Sequence, residues 1–156
     1  MEGPNILLAR IDNRLVHGQV GVVWLTTVGA NLVVVVDDDA AKDTLQQQLM
    51  SAVVQPSGVG IRFFTIEHTI NIIHKASPAQ KIFIICKTPE ILRKLIEGEV
   101  PIKDVNVGNM HFMRGKHQIS KKVYVDENDL EDLHYIKSKG INVFIQDIPG
   151  DAKEYI

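Results

Sequence analysis

The sequence predicts an open, doubly wound α/β fold, a mainly parallel sheet of about seven strands with helices on both faces. Three observations lead there. Short apolar runs of strand length alternate with segments whose apolar residues recur at helical spacing. The runs, such as 32–36 and 82–86, are continuous rather than alternating, as strands buried on both faces require. Hydrophobic residues make up 45% of the chain but aromatic ones only 6%, which suits an aliphatic interior. At 156 residues the chain is expected to form one domain over 1–156.

The first strand is expected over 5–11. A helix opens at His17, with Val16, Val20, Val23, Trp24 and Val28 on one buried face. The β-branched run 31–36 forms the second strand, closed by Asp37, Asp38 and Asp39. Leu45, Leu49 and Val53 mark the inner face of the next helix, which Gln55-Pro56-Ser57-Gly58 ends. A third strand over 60–65 leads to Thr65 as a helix cap, with Ile66, Ile70 and Ile73 turned inward until Ser77-Pro78. The fourth strand spans 81–87. Thr88-Pro89 then puts a cap before a proline at the first helical position, and Ile91, Leu92, Leu95 and Ile96 line that helix as far as Gly98.

Strand five is expected over 104–107 and a sixth over 119–125. The residues from Met110 to Ser120 show no helical face, so a turn or hairpin joins these two, and one strand there could run antiparallel. Asp126 caps a last helix carrying Leu130, Leu133 and Ile136, Gly140 ends it, and 142–147 is the last strand. Open α/β sheets bind ligands beyond the C-terminal ends of their strands. Residues 10–17, 37–39, 65–68, 87–88 and 108–111 are all expected at that edge.

A formal net charge of −2, with no basic block interleaved with aromatics, argues against nucleic acid as a partner. The longest apolar runs fall well short of the ~18–20 residues of a membrane span, and the first residues lack the pattern of a signal peptide. A cytoplasmic location is expected. The single cysteine excludes an internal disulfide framework.

The densest chemistry lies in Arg10-Ile11-Asp12-Asn13-Arg14-Leu15-Val16-His17-Gly18-Gln19-Val20, where a strand runs into a loop of opposed charges and ends on a histidine opening a helix. The first N–H groups of a helix lack partners and the dipole is positive there, so the position favours an anion. Arg10 and Arg14 add two fork-shaped donors. Together they point to phosphate on His17, although a histidine at a helix end can equally serve as an ordinary hydrogen-bonding residue. Gly18 would let the backbone approach a phosphate or simply relieve crowding. Gln19 could donate an amide N–H. Asp12, repulsive toward phosphate, would instead brace an arginine or the imidazole.

Other groups are weaker candidates. Asp37, Asp38 and Asp39 could form a Mg²⁺ cluster, but a strand end and helix cap account for them better; Asp37 would border the His17 loop. No metal or cofactor is expected. Cys86 sits in an apolar strand and reads as a small buried hydrophobe. His68 and His74 have the wrong spacing for a helical metal pair. Gly108, Asn109, Met110 and His111 would border the site.

The loop, together with Asn106-Val107-Gly108-Asn109-Met110-His111, closely resembles the active-site segments of IIB components of mannose/fructose/sorbose-type sugar phosphotransferase systems, and among these the N-acetylgalactosamine/galactosamine type. The resemblance covers nearly the whole chain. It implies that His17 takes phosphate on Nδ1 from the phosphohistidine of a IIA protein, with Arg10 and Arg14 as anion clamps. The phosphate would pass to a sugar held by IIC/IID membrane components, keeping the chain at the inner membrane face. Leu15, Val16 and Met110 would form the apolar part of the docking surface and Lys87 would add positive charge. A homo-oligomer stays open. The rival reading is a regulatory module that binds a sugar phosphate without covalent exchange.

Overall fold

The structure, a computed structural model, describes residues 3–156. Its main sheet has seven strands in the order β3-β2-β4-β1-β5-β8-β9. The strands are β1 (Asn5–Asp12), β2 (Leu32–Val36), β3 (Gly60–Phe64), β4 (Lys81–Cys86), β5 (Asp104–Asn109), β8 (Asn142–Ile145) and β9 (Glu154–Tyr155). All neighbours pair in parallel except β8 and β9, which are antiparallel. Helices α1 (Gly18–Val28) and α2 (Thr44–Val54) cover one face through Trp24, Leu25, Met50 and Val54. On the other lie α3 (Ile66–Ile72), α4 (Pro89–Glu97) and α5 (Glu127–Ser138), packed through Ile70, Leu92, Leu95, Leu133 and Ile136.

The chain moves outward from β1 through β2 to β3, returns with β4, and crosses to the far side of β1 with β5. Where that winding reverses, the connections leave the sheet in opposite directions and open a crevice at the C-terminal ends of β1, β4 and β5. The end of β1 stands in that crevice. The β1/β5 register also shifts between Ile11 and Asp12, so Asp12 lies opposite Asn109; such irregularities re-aim side chains at strand ends.

Four expectations are corrected. The run 119–125 is not one strand of the sheet: it is broken after Ser120, and β6 (His117–Ser120) and β7 (Val123–Val125) form a separate antiparallel hairpin. Its apolar residues pack under the sheet, with Val123 and Val125 fully buried. The seventh strand is β9, whose two exposed residues carry no apolar run to betray it. Finally, α2 is rotated by about one residue from its expected orientation. Asp43 caps it, accepting from Gln46 N–H at 3.1 Å, and Met50 and Val54 face the sheet while Leu45 and Leu49 are 65% and 61% exposed. In α1, Val23 likewise turns outward.

Candidate functional site

Asp12 is the hub of the loop. Its carboxylate is 1% exposed and accepts hydrogen bonds from four donors. Arg10 Nη2 donates to Oδ2 at 3.0 Å. From Arg14, the backbone N–H and Nε reach Oδ1 at 3.0 and 2.9 Å, and Nη2 reaches Oδ2 at 2.8 Å. Burial alone would raise the Asp12 carboxyl, but the Arg14 hydrogen bonds and the Arg10 charge outweigh it and hold the group below the usual carboxylate range. The same hydrogen bonds raise Arg14.

Arg10 and Arg14 are not an equivalent pair. The expectation that both clamp an anion is corrected for Arg10, which is 1% exposed and fully committed inside the fold. Its Nη1 donates to Asn106 Oδ1 at 2.6 Å and to the Gln146 carbonyl at 3.2 Å, while Trp24 lies against it with Cζ 5.2 Å from the ring centroid. Burial is the largest influence on the Arg10 guanidinium and depresses it, opposed chiefly by Asp12. Gly108 makes room for this arrangement. A Cβ there would stand 2.1 Å from Arg10 Cζ, so only glycine lets the guanidinium lie on β5. Arg14, by contrast, keeps 27% of its side chain exposed and lines a cleft of about 290 Å³ with Lys87, Gln46 and Leu49.

Between Arg14 and His17 the chain is held in an uncommon shape. Leu15 N–H donates to the Asp12 carbonyl at 2.9 Å, closing a tight turn that leaves Leu15 at φ 60° and Gly18 at φ 49°. For leucine that left-handed conformation costs ~1–2 kcal/mol. Its side chain is only 3% exposed, and burial of a leucine stabilises by ~1.5–3 kcal/mol, which offsets the strain. At Gly18 a Cβ would meet nothing within 4 Å, so the backbone conformation and not crowding calls for glycine. The loop is also tied to β5: Asn13 N–H donates to the Asn109 carbonyl at 3.1 Å, and Asn109 Nδ2 donates to Asn13 Oδ1.

His17 ends this loop as the N-cap residue of α1, with extended backbone, an exposed side chain and no capping hydrogen bond from it. The other four α-helices are capped by the side chains of Asp43, Thr65, Thr88 and Asp126. Helix α1 has no such cap and no acid in its first turn. Its leading N–H groups and dipole therefore face outward uncompensated, next to an imidazole and an accessible guanidinium. Gly18 and Gln19 are both exposed there.

The remaining candidates divide. Leu15, Val16 and Met110 are 3%, 7% and 4% exposed and pack into the core, which corrects their expected place on a docking surface. The exposed apolar residues are instead Leu45 and Leu49 of α2 and Phe112 and Met113 before β6. Asp37 Oδ2 accepts from Ala40 N–H at 2.9 Å and meets Lys87 at 3.7 Å, and Asp38 accepts from Ile66 N–H, so both serve the local backbone. Thr65 and His68 follow β3 at the sheet's edge, three strands from β1. Cys86 is fully buried, and burial pushes its thiol far above the ordinary range. His111 is exposed beside Met110.

Asn106, Gln146, Asp147 and Trp24 were missed as site residues. Asn106 Nδ2 donates to the Gln146 carbonyl at 2.9 Å, and Trp24 Nε1 donates to the Asp147 carbonyl at 2.9 Å, fixing α1 to the end of β8. Asp147 Oδ2 pairs with Lys122 at 2.8 Å, and Oδ1 lies 3.7 Å from Arg10 and 3.9 Å from Arg14 without a hydrogen bond among the described residues. The signal available was polarity: Asn106 interrupts an apolar strand, where a buried amide must have partners.

A model of the family described as PTS system sorbose subfamily IIB component matches residues 6–156. The chain is 67% identical over 156 residues to the N-acetylgalactosamine-specific phosphotransferase enzyme IIB component 1 of Escherichia coli (strain K12), covering 100% of this chain and 99% of that one. It is 35% identical to the PTS system fructose-specific EIIB component of Bacillus subtilis (strain 168), over 96% and 92% of the two chains. The crystal structure of the Escherichia coli IIB component 1 superposes with a TM-score of 0.96 at 67% identity, covering 97% and 99%. That of an N-acetyl-galactosamine IIB component from Streptococcus pyogenes gives 0.91 at 38% identity, covering 97% and 93%. The loop, the fold that presents it and these likenesses agree, and the chain belongs to the sorbose-subfamily IIB components of the sugar phosphotransferase system.

Proposed function

We propose that His17 accepts a phosphoryl group from the phosphohistidine of a IIA protein and passes it to N-acetylgalactosamine or galactosamine, held by IIC/IID membrane components during uptake. The activity is that of a protein-Nπ-phosphohistidine–sugar phosphotransferase. The choice of sugar is supported by the N-acetylgalactosamine-specific relative at 67% identity. The choice of residue is supported above all by one observation: His17 stands exposed at the N-terminus of the one described α-helix that no side chain caps.

In the first step an imidazole nitrogen, Nδ1 by the family resemblance, attacks phosphorus, and the donor imidazole leaves with the electrons of its P–N bond. The α1 N–H groups and Arg14 stabilise the charge on the phosphoryl oxygens in transit. Arg10 is a positioning residue, holding Asp12, which in turn orients Arg14. In the second step a sugar hydroxyl attacks phosphorus, and the His17 imidazole leaves with the electrons of its P–N bond and takes up the hydroxyl proton. Both exchanges need an accessible edge, and Leu45, Leu49 and Lys87 supply a mixed apolar and cationic surface beside Arg14 for the IIA protein. Among the described residues no helix is long and apolar enough to cross a membrane, so contact with the sugar is proposed to depend on IIC/IID at the inner membrane face.

The test is phosphotransfer from purified general components and cognate IIA, with mapping of the label. The expected product is acid-labile, base-stable phosphate on His17, absent from His17→Ala. Label retained in that variant would reject the assignment.

A further inference from the structure

Beside Arg14 stands a second carboxylate that the two transfer steps leave unused. Asp147 follows β8, and its Oδ1 lies 3.7 Å from Arg10 Nη2 and 3.9 Å from Arg14 Nη2. Both distances are too long for a hydrogen bond, and that oxygen is buried with no other partner among the described residues. The other oxygen, Oδ2, is held by Lys122 Nζ at 2.8 Å, from the link between β6 and β7. The two backbones are fixed independently of this pair. The Asp147 carbonyl accepts from Trp24 Nε1 at 2.9 Å, the neighbouring Gln146 N–H donates to the Val107 carbonyl at 3.1 Å, and the Lys122 carbonyl accepts from Met110 N–H at 3.0 Å. Where the carboxylate points is left to Lys122.

Three cations, Arg10, Arg14 and Lys122, here meet two carboxylates, Asp12 and Asp147, so one positive charge is left over. Arg10 is sealed in the fold, and the surplus is presented through the part-exposed Arg14. Without Lys122 the charges balance. A shift of about 1 Å would then bring Asp147 Oδ1 to hydrogen-bond distance of Arg14 Nη2, which has a second hydrogen beside the one given to Asp12. Arg14 would sit between two carboxylates, and a phosphoryl group would meet a neutral cluster in place of a cationic one. With Lys122 45% exposed, its ion pair adds little to stability, so its consequence lies in the charge that Arg14 presents. We propose that Lys122 is a positioning residue for the transfer, holding Asp147 off Arg14 so that the clamp keeps its charge for phosphate. The inference rests on the reading of Arg14 as that clamp.

The test reads transfer and contact separately, in the full chain. At saturating phospho-IIA, Lys122→Ala should lower the single-turnover rate of His17 phosphorylation about tenfold, with no change in the IIA concentration giving half the maximal rate. Adding Asp147→Asn should recover most of that loss, because the competing carboxylate is gone, and Lys122→Arg should keep most of the wild-type rate. A merely structural role for Lys122 would leave the double variant as slow as the single one. The Arg14 guanidinium NMR signals, identified by their loss in Arg14→Ala, should shift in Lys122→Ala and return in the double variant, whether or not His17 carries phosphate. Full-rate transfer by Lys122→Ala, no recovery in the double variant, or unmoved Arg14 signals would each overturn the proposal. A wild type that takes no label on His17 would reject the functional reading instead, and the Arg14 signals would still support or overturn the tether.

Discussion

The two halves of the His17 loop use the same residue types for opposite ends. In the inner half, Arg10 and Asp12 are each 1% exposed, and Arg10 spends its donors on Asp12, Asn106 and the Gln146 carbonyl. In the outer half, Arg14 leans on the same carboxylate but keeps part of its side chain accessible, and the His17 side chain makes no capping hydrogen bond among the described residues. The inner half is a satisfied network and the outer half an unsatisfied one. A charged residue near a reactive group is therefore not by its type a ligand. Whether its hydrogen bonds are already made decides that.

The largest expected effect lies in the outer half. His17→Ala should abolish phosphate acceptance while its unfolding midpoint stays within ~0.5 kcal/mol of wild type, as for other exposed positions. Chemical denaturation beside the labelling assay checks both. The inner half should answer in stability instead. Arg10→Ala should cost ~3–5 kcal/mol, because it leaves Asp12 and Asn106 buried without their partner. Gly108→Ala, which drives a Cβ into the Arg10 guanidinium, should cost ~1–3 kcal/mol. If Arg10→Ala unfolds at the wild-type midpoint, the distinction between the halves fails.

Arg14→Ala should reverse that pattern, losing ~10–100-fold in transfer rate for under ~1 kcal/mol of stability, and lysine should rescue it only in part for want of a bidentate fork. Single-turnover transfer, read beside IIA affinity, separates slow chemistry from poor docking. A smaller effect is expected in acid. The Asp12 carboxyl is held below its unfolded value, so its contribution to stability is fully present above about pH 4 and is lost as pH falls through the folded value. Asp12→Asn should be less stable at neutral pH, with a shallower acid limb in midpoints measured across that range. The smallest expected effect concerns Cys86. Buried, with its thiol raised, it should not be alkylated in the native state at neutral pH.

The sequence carried the parallel sheet plainly, because β2 and β4 are continuous apolar runs with no polar interruption. It also carried the loop, where charges, glycine and histidine crowd into a few residues. It did not carry the orientation of α2. Leu45, Leu49 and Val53 satisfy helical spacing as well as Met50 and Val54 do, and which set faces the sheet is fixed by the Asp43 cap and the preceding turn. Nor could it separate Arg10 from Arg14. That distinction rests on Asn106 and Gln146, 96 and 136 residues away from Arg10, and on the absence of a side chain at Gly108. β9 escaped because two exposed residues pairing with a strand edge leave no periodicity to find.

The bare N-terminus of α1 bears on the energetics of the phosphoryl bond itself. A phosphoryl group on His17 would act as the cap that the helix lacks, accepting from its leading N–H groups, and such caps contribute ~1–2 kcal/mol. By a thermodynamic cycle, whatever the group adds to the stability of the folded chain it subtracts from its own tendency to leave. The fold would thus lower the transfer potential of phosphohistidine by about tenfold relative to the unfolded peptide. The height of this step in a phosphate relay would be set by a missing side chain at one helix end.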